Sequence, residues 1–154
     1  REFRPDALAP QILSDLLWAA CGVNRRELGG RTAPSAMNAQ EIDLYLATAE
    51  GLWLFEPVLH QLRRVQASDV RRVTGYQDFV DEAPLDLVMV ADHARMKMVP
   101  ASKRESYASV AAGAIAQNVY CSAPGPAWRP SAGPGSTGPR SRGRSASGPT
   151  SRSS

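Results

Sequence analysis

Cysteine, histidine and long apolar runs are scarce in this 154-residue chain. The two cysteines, Cys21 and Cys121, lie far apart and form no CxxC pair, which argues against a disulfide scaffold and indicates a reducing, cytoplasmic location. No apolar run approaches the ~20 residues of a membrane span, and no signal-peptide pattern opens the chain. We therefore expect no membrane segment.

Metal-ligand clusters and several common active-site motifs are also missing. His60 and His93 are far apart in the chain, and neither belongs to a group with ligand spacing, so we expect no metal centre. The sequence contains no GxSxG, Walker or GxGxxG pattern. None of these three kinds of site is therefore predicted.

Charge is divided unevenly along the chain. Residues 1–120 carry 13 basic and all 15 acidic residues, whereas residues 121–154 carry five arginines and no acid. Of those last 34 residues, 30 are Gly, Pro, Ser, Ala or Arg, a composition that cannot bury enough apolar area to offset chain entropy. We predict one domain over 1–120 and a disordered Gly/Pro/Ser/Arg-rich tail over 121–154. Trp128 is the only aromatic residue of that tail, so we expect no nucleic-acid binding.

The composition changes abruptly at Tyr120, inside a segment that is still amphipathic. Gly, Pro, Ala and Arg are the residues that GC-rich codons encode in any reading frame. We hypothesise that the tail is an out-of-frame translation of a longer domain. An intact single reading frame in the gene would contradict this hypothesis.

Hydrophobic periodicity predicts a helix near each end of the body. Leu8–Cys21 has apolar residues at helical spacing, and Asp6 is its expected N-cap. Trp18 and Cys21 are expected in the core, because residues of these types are usually buried. A second helix is predicted over 102–120, where small side chains permit close approach of another helix or a ligand.

Strands are predicted between the helices, because Glu41–Thr48 alternates polar and apolar residues as a half-buried strand does. Glu41–Thr48, Leu52–Phe55 and Val58–Val65 have the pattern of a β-meander. A helix is predicted over Val70–Val80 after a capping Ser-Asp pair. The most apolar segment, Leu85–Ala91, is expected to be a central strand.

Polar side chains concentrate in the loop Gly29–Gln40, which reads GGRTAPSAMNAQ. Such a loop can present side-chain and backbone donors to a flat, polar ligand. Ser35 and Asn38 have two readings, because they are either ligand donors or residues that stabilise a turn. Arg31 also has two, as a residue that faces a phosphate or an acidic substrate, or as a solvated loop arginine.

The order of these motifs resembles the nitroreductase family of FMN-dependent oxidoreductases, and especially its SagB-type dehydrogenase branch. The resemblance covers nearly all of residues 1–120 and none of 121–154. The matching segments are REF at 1–3, similar to the end of the family's RRSxR-E/F phosphate motif; LLWAACG at 16–22 with Asn24-Arg25, similar to the LLWAAxGxNR helix; TAPSAMNAQ at 32–40, similar to the APSxxNxQ flavin loop; QDFVDEAPL at 77–85, similar to the segment that leads into the central strand; and GAIAQNVY at 113–120, similar to the GxxxQN helix.

The resemblance implies an FMN site made of Arg1, Pro34, Ser35, Asn38 and Gln77. Arg1 would contact the phosphate, and a charge-assisted hydrogen bond suits that role. The loop residues would meet the ring edge or the ribityl chain, and Gln77 would offer its side-chain amide to the flavin.

The resemblance also implies a fold and an assembly. The fold is α+β, with a central, mainly antiparallel sheet flanked by helices, and it is incomplete here because the tail replaces the later part of the domain. The assembly is a homodimer with FMN at the interface, formed through the helices at Leu8–Cys21 and Tyr107–Tyr120. Gln117 and Asn118 are expected to make structural hydrogen bonds, because buried amides need partners.

The activity implied is transfer of hydride or electrons through the flavin N5. The donor would be NAD(P)H or an organic molecule, and the small-molecule acceptor a nitro compound or a quinone. No protein residue is predicted to be catalytic, because the cofactor carries the redox chemistry. Two alternatives stay open: a truncated, non-enzymatic fragment without a stable cofactor site or, for a complete domain, a dehydrogenase of peptide azolines. The fragment alternative arises because the first arginine and serine of the phosphate motif would precede residue 1.

Overall fold

The computed structural model describes residues 6–122, which form two helices, six strands and four short 3-10 turns. Arg1 and the predicted tail from residue 123 onward lie outside the described residues. The helices are α1 (Pro10–Cys21) and α2 (Ala101–Ser122), and the strands are β1 (Val23–Arg25), β2 (Gly30–Arg31), β3 (Ile42–Thr48), β4 (Gly51–Glu56), β5 (Gln61–Gln66) and β6 (Asp86–Ala91).

Four strands form one antiparallel sheet in the order β5-β4-β3-β6. The predicted meander of three successive strands is therefore confirmed, and β1 and β2 make a separate antiparallel ribbon. The turn between β3 and β4 needs glycine, since Gly51 has a φ of 148° and a Cβ there would lie 2.3 Å from the Gln66 carbonyl oxygen.

The core lies between the helices and one face of the sheet. Alternation along β3 places Ile42, Leu44 and Leu46 on this buried face. The helices pack on each other, and Asn118 Nδ2 donates across their contact to the Ala20 carbonyl oxygen at 3.4 Å. The helical residues of the core are Leu16, Leu17, Ala20 and Cys21 from α1 and Ala108, Ala111, Ile115 and Val119 from α2. The predicted α+β class, with an antiparallel sheet and flanking helices, is thus observed.

Helix α1 is confirmed, but two details of its prediction are wrong. The helix begins at Pro10 with Ala9 as N-cap, so Asp6 does not cap it; a proline at the start is pre-set for helical φ. Cys21 is buried as expected, whereas Trp18 is 49% exposed. Trp18 lies beside the buried residues of α1, which are Leu16, Leu17, Ala20 and Cys21, rather than among them.

The segment predicted as a helix over Val70–Val80 contains only one 3-10 turn, Arg71–Val73. Local side-chain hydrogen bonds compete with a helix here, as Asp69 Oδ1 accepts from Arg71 N at 3.0 Å and Thr74 Oγ1 donates to the Arg71 carbonyl oxygen at 2.8 Å. Gly75 is buried, with Val80 within 2.9 Å of where its Cβ would be. The helix prediction is wrong because these contacts outweigh helix propensity.

The most apolar strand is not central in the described sheet. Strand β6 pairs only with β3 within residues 6–122, and its last residues, Val90 and Ala91, are exposed. An apolar run indicates that both faces of a strand are covered, and it does not indicate the position of that strand in the sheet. Helix α2 is confirmed and continues past the predicted boundary at Tyr120 to Ser122. Neither described helix is long and apolar enough to cross a membrane.

Candidate functional site

A cleft opens where the end of α1, strand β2, the start of β3 and the middle of α2 meet. Its volume is about 260 Å³, open solvent included. One wall is apolar, and the opposite wall is formed by the polar loop that the sequence singled out. The lining residues are Cys21, Arg31, Ala33, Pro34, Ser35, Gln40, Ile42, Ala111 and Ile115.

Two hydrogen bonds fasten the start of this loop to the end of α1. Thr32 N donates to the Gly22 carbonyl oxygen at 3.0 Å, and Thr32 Oγ1 donates to the Trp18 carbonyl oxygen at 3.3 Å. Glycine is needed at position 22, because a Cβ there would lie 2.6 Å from the Trp18 oxygen. The chain therefore leaves α1 and returns to it at a fixed place, which brings the loop against α2.

The other end of the loop is held in a left-handed backbone conformation. Met37, Asn38 and Gln40 have φ angles of 54°, 51° and 51°, which are uncommon outside glycine. Ser35 Oγ accepts from Gln40 N at 2.8 Å, and Gln40 Nε2 donates to Asn38 Oδ1 at 3.0 Å and to the Gly29 carbonyl oxygen. Each strained residue costs on the order of 1–3 kcal/mol, which the surrounding contacts must offset. These bonds pre-organise the loop.

Arg31 is half-buried in the cleft, which Cys21 also lines. The Arg31 Nε atom is buried and makes no hydrogen bond. Burial lowers the pKa of Arg31, an effect that Cys21 partly opposes. Burial also raises the pKa of Cys21 to about 11, so this thiol is neutral at pH 7. The nearby carboxylate of Asp43 is bound by Arg95 at 2.5 Å. No ion pair of Arg31 forms within residues 6–122.

A second unsatisfied group, Glu41, lies where the loop enters β3. Its side chain is 0% exposed, and neither carboxylate oxygen has a hydrogen-bond partner. Its backbone carbonyl oxygen accepts from Asp92 N at 2.8 Å, which joins β3 to the end of β6. A buried carboxylate without a partner is costly. Nothing in the sequence pattern indicates this burial, since an alternating strand predicts an outward polar residue here.

The structure brings two of the predicted site residues into the cleft, Pro34 and Ser35. Asn38 is exposed and outside the lining, but it is bonded to Gln40, which does line the cleft. Gln77 is half-buried and does not line the cleft of its own chain. Arg1 lies outside the described residues.

Sequence reasoning missed the residues that complete the cleft. Gln40 closes the loop, and the only available signal was its place as the last residue of the APSxxNxQ-like segment. Ile42, Ala111 and Ile115 read as ordinary core residues in the sequence, and only the fold shows that they border a cleft. Within residues 6–122, no group of three or more His, Cys, Asp and Glu side chains is placed to hold a metal ion.

The sequence and the fold are similar to those of known proteins. The model of the nitroreductase family matches residues 1–125, and this chain belongs to that family. The chain is 29% identical over 130 residues to a Methanocaldococcus jannaschii protein named Putative nitroreductase MJ1384. That alignment covers 78% of this chain and 65% of the relative, so the chain spans about two thirds of the relative's length.

Two solved structures are similar to the fold. One is a Ralstonia eutropha JMP134 protein described as a putative nitroreductase, which is 52% identical in sequence with a TM-score of 0.74. This match covers 79% of this chain and 58% of the Ralstonia chain. The E. coli microcin synthetase McbBCD complex, with truncated pro-MccB17 bound, matches at a TM-score of 0.65 and 16% identity over 79% of this chain and 55% of its own. At that identity the second match shows a shared fold alone.

Proposed function

We propose that this chain forms part of an FMN-dependent oxidoreductase and that the cleft beside the loop Gly29–Gln40 is one wall of the flavin site. Membership of the nitroreductase family supports the cofactor class. The observation that carries the proposal is the pre-organised loop, in which Ser35 and Gln40 are hydrogen-bonded to each other and line the cleft. A rigid polar wall opposite an apolar wall suits a planar ring with hydrogen-bonding edges.

The residues present fit such a group. Ser35 has a hydroxyl hydrogen to donate while its oxygen accepts from Gln40 N. Pro34 stiffens the backbone beside it, and Ile42 and Ile115 offer apolar surface to a ring face. Bound FMN supplies the hydride and electron chemistry, while these residues bind and orient it. We therefore assign no catalytic role to a protein side chain.

The remaining predicted contacts require parts that one described chain does not bring together. Arg1 is proposed to bind the phosphate. Gln77 is proposed to reach the flavin from a second copy, because it does not line the cleft of its own chain. A homodimer is supported by large apolar side chains exposed on both helices. On α1 these are Ile12 and Trp18, and on α2 they are Tyr107, Val110 and Tyr120.

The electron donor is proposed to be NAD(P)H and the acceptor a small molecule such as a nitro compound or a quinone. The SagB-type branch stays a prediction on the sequence motifs. A peptide azoline substrate has no observation in the described residues that favours it over the nitro or quinone acceptor.

Purification and flavin binding test this function. We expect the purified chain to be yellow, to release FMN on denaturation and to gain thermal stability when FMN is added. We further expect anaerobic NADPH or NADH to bleach the flavin absorbance. A colourless protein whose melting temperature is unchanged by saturating FMN would instead support the non-enzymatic fragment.

A further inference from the structure

Among the described residues that line the cleft, Arg31 alone is charged. Its guanidinium stays protonated in proteins and has five N–H donors in a fixed fork. Here the Nε donor is buried without an acceptor, so part of that fork is desolvated and unsatisfied. A desolvated charge of this kind is expensive unless an opposite charge completes it.

The neighbouring groups do not complete it. Asp43 is an acid whose charge acts on Arg31, but its carboxylate is bound by Arg95 at 2.5 Å. Arg95 also binds Asp92 at 3.2 Å, so these three side chains form a network of their own. The Cys21 thiol is neutral at pH 7 and has no charge to offer. The described residues therefore leave one cation in the cleft to be neutralised from outside.

The rest of the cleft indicates what kind of molecule would bring the negative charge. Ile42, Ala111 and Ile115 supply an apolar surface, and Ser35 adds a hydroxyl on the opposite wall. We propose that Arg31 recognises a negatively charged oxygen group on a planar organic ligand in this cleft. A carboxylate fits best, because it is planar and matches the guanidinium fork with two parallel hydrogen bonds.

The physiological ligand rests on the proposed function, since it is either the organic electron donor or acceptor or the cofactor itself. A substrate would bring a carboxylate, and FMN would bring its phosphate. Both sources share an anionic oxygen group. Two affinity comparisons distinguish these sources. A site for a substrate carboxylate prefers a carboxylate to its neutral amide, whereas a site for the cofactor phosphate prefers FMN to riboflavin, which lacks the phosphate.

The test uses the full chain without flavin and two probes of the same shape, benzoate and benzamide. Wild-type protein is expected to bind the anion at least about tenfold more tightly than the neutral amide, measured by calorimetry. Arg31→Gln is expected to weaken benzoate binding by about ten- to hundredfold, to the level of benzamide, as loss of a charge-assisted hydrogen bond predicts. Arg31→Lys keeps the charge but loses the fork, so its loss should be intermediate.

Arg26→Gln is the matched control, because Arg26 is exposed and outside the cleft lining. It should bind both probes as wild type does. Thermal melting of each variant checks folding, and Arg31→Gln is expected to melt no lower than wild type without ligand, since it removes an unpaired desolvated charge.

Parallel titrations with FMN and riboflavin identify the source of the anion. If Arg31→Gln abolishes a preference for FMN over riboflavin, Arg31 recognises the cofactor phosphate, and the proposal holds with that ligand. The proposal is overturned if Arg31→Gln binds benzoate, benzamide, FMN and riboflavin as the wild type does. It is also overturned if the wild-type protein binds the anions no more tightly than their neutral analogues. If the wild-type protein binds benzoate selectively but binds neither FMN nor riboflavin, the flavin function is refuted while the proposed anion site is supported.

Discussion

The cleft and the segment 67–85 use polar side chains in opposite ways. At the cleft and beside it, two residues carry buried polar atoms without partners: Arg31 Nε and both Glu41 carboxylate oxygens make no hydrogen bond. In the segment 67–85, polar groups are largely paired: Arg71 binds Asp69 at 2.7 Å and donates to the Ala83 carbonyl oxygen at 2.7 Å. The paired groups of segment 67–85 stabilise the fold, whereas the unpaired groups at the cleft do not. Polar groups kept at a cost to stability indicate a site that binds something.

The largest effect is expected at Gln40, which locks the loop. Gln40→Ala removes the hydrogen bonds to Asn38 Oδ1 and to the Gly29 carbonyl oxygen and leaves a strained alanine at positive φ. We expect a loss of about 2–3 kcal/mol in the free energy of unfolding and at least tenfold weaker FMN binding. Urea denaturation and flavin titration measure the two effects.

Gln11→Ala is the control for Gln40→Ala, since Gln11 makes an exposed side-chain bond to Asp15 on α1. Its free energy of unfolding should change by less than about 0.5 kcal/mol, with FMN affinity unchanged. Equal effects of the two substitutions would show that the loop is not specially pre-organised.

At Glu41 the expected change is a gain. Glu41→Met replaces an unpaired buried carboxylate by an apolar side chain of similar length and should stabilise the protein by about 2 kcal/mol. Asp43→Met, next but one in the strand, breaks the ion pair with Arg95 and should destabilise it instead. A loss of stability at both positions would contradict the contrast between unpaired and paired acids.

Cys21 gives the cleft a pH dependence. Its pKa is raised from 9.0 to about 11 in the folded protein. Between pH 9 and 11 the unfolded chain releases the thiol proton while the folded chain keeps it. The contribution of Cys21 to the free energy of unfolding is therefore intact below pH 9 and is lost as the pH rises through 11. It amounts to on the order of 2 kcal/mol. The free energy of unfolding of Cys21→Ala should therefore fall less steeply between pH 9 and 11 than that of the wild type. Equal slopes of this free energy against pH would refute the raised pKa of Cys21.

Smaller effects are expected in segment 67–85. Arg71→Ala removes the ion pair with Asp69 and the side-chain donor of the Ala83 carbonyl oxygen, while Asp69 keeps its bond to the backbone N–H of residue 71; the loss should cost about 1–2 kcal/mol. Arg72→Ala should cost less than about 0.5 kcal/mol, because its pairs with Asp78 and Asp81 are exposed and long, at 3.7 and 3.4 Å. Chemical denaturation of both variants measures the difference. Similar losses would mean that pairing in this segment does not depend on burial.

The same comparison explains which predictions from the sequence succeeded. Period-2 alternation located β3, and helical spacing located α1 and α2, because each pattern reflects a buried face. Such patterns carry no information about backbone conformation fixed by side-chain bonds. The helix expected over Val70–Val80 was wrong for that reason, since Asp69 and Thr74 bond to nearby backbone instead.

Prediction of the site was partial for a different reason. The loop could be located from its composition and its family-like motif, and two residues predicted for the site, Pro34 and Ser35, line the cleft. The opposite wall could not, because Ile42, Ala111 and Ile115 meet only through the packing of α2 on the sheet. Burial of Glu41 also depends on packing between distant segments, which no local pattern encodes.

Hydrogen–deuterium exchange with and without FMN tests most directly whether the loop is a wall of the flavin site. We predict that saturating FMN slows exchange of backbone amides within residues 29–42, with the preceding 3-10 turn Arg26–Leu28 unaffected. Slowed exchange around Gln77 as well would support its proposed contribution from a second copy. Bound FMN with unchanged exchange in 29–42 would contradict the proposed site.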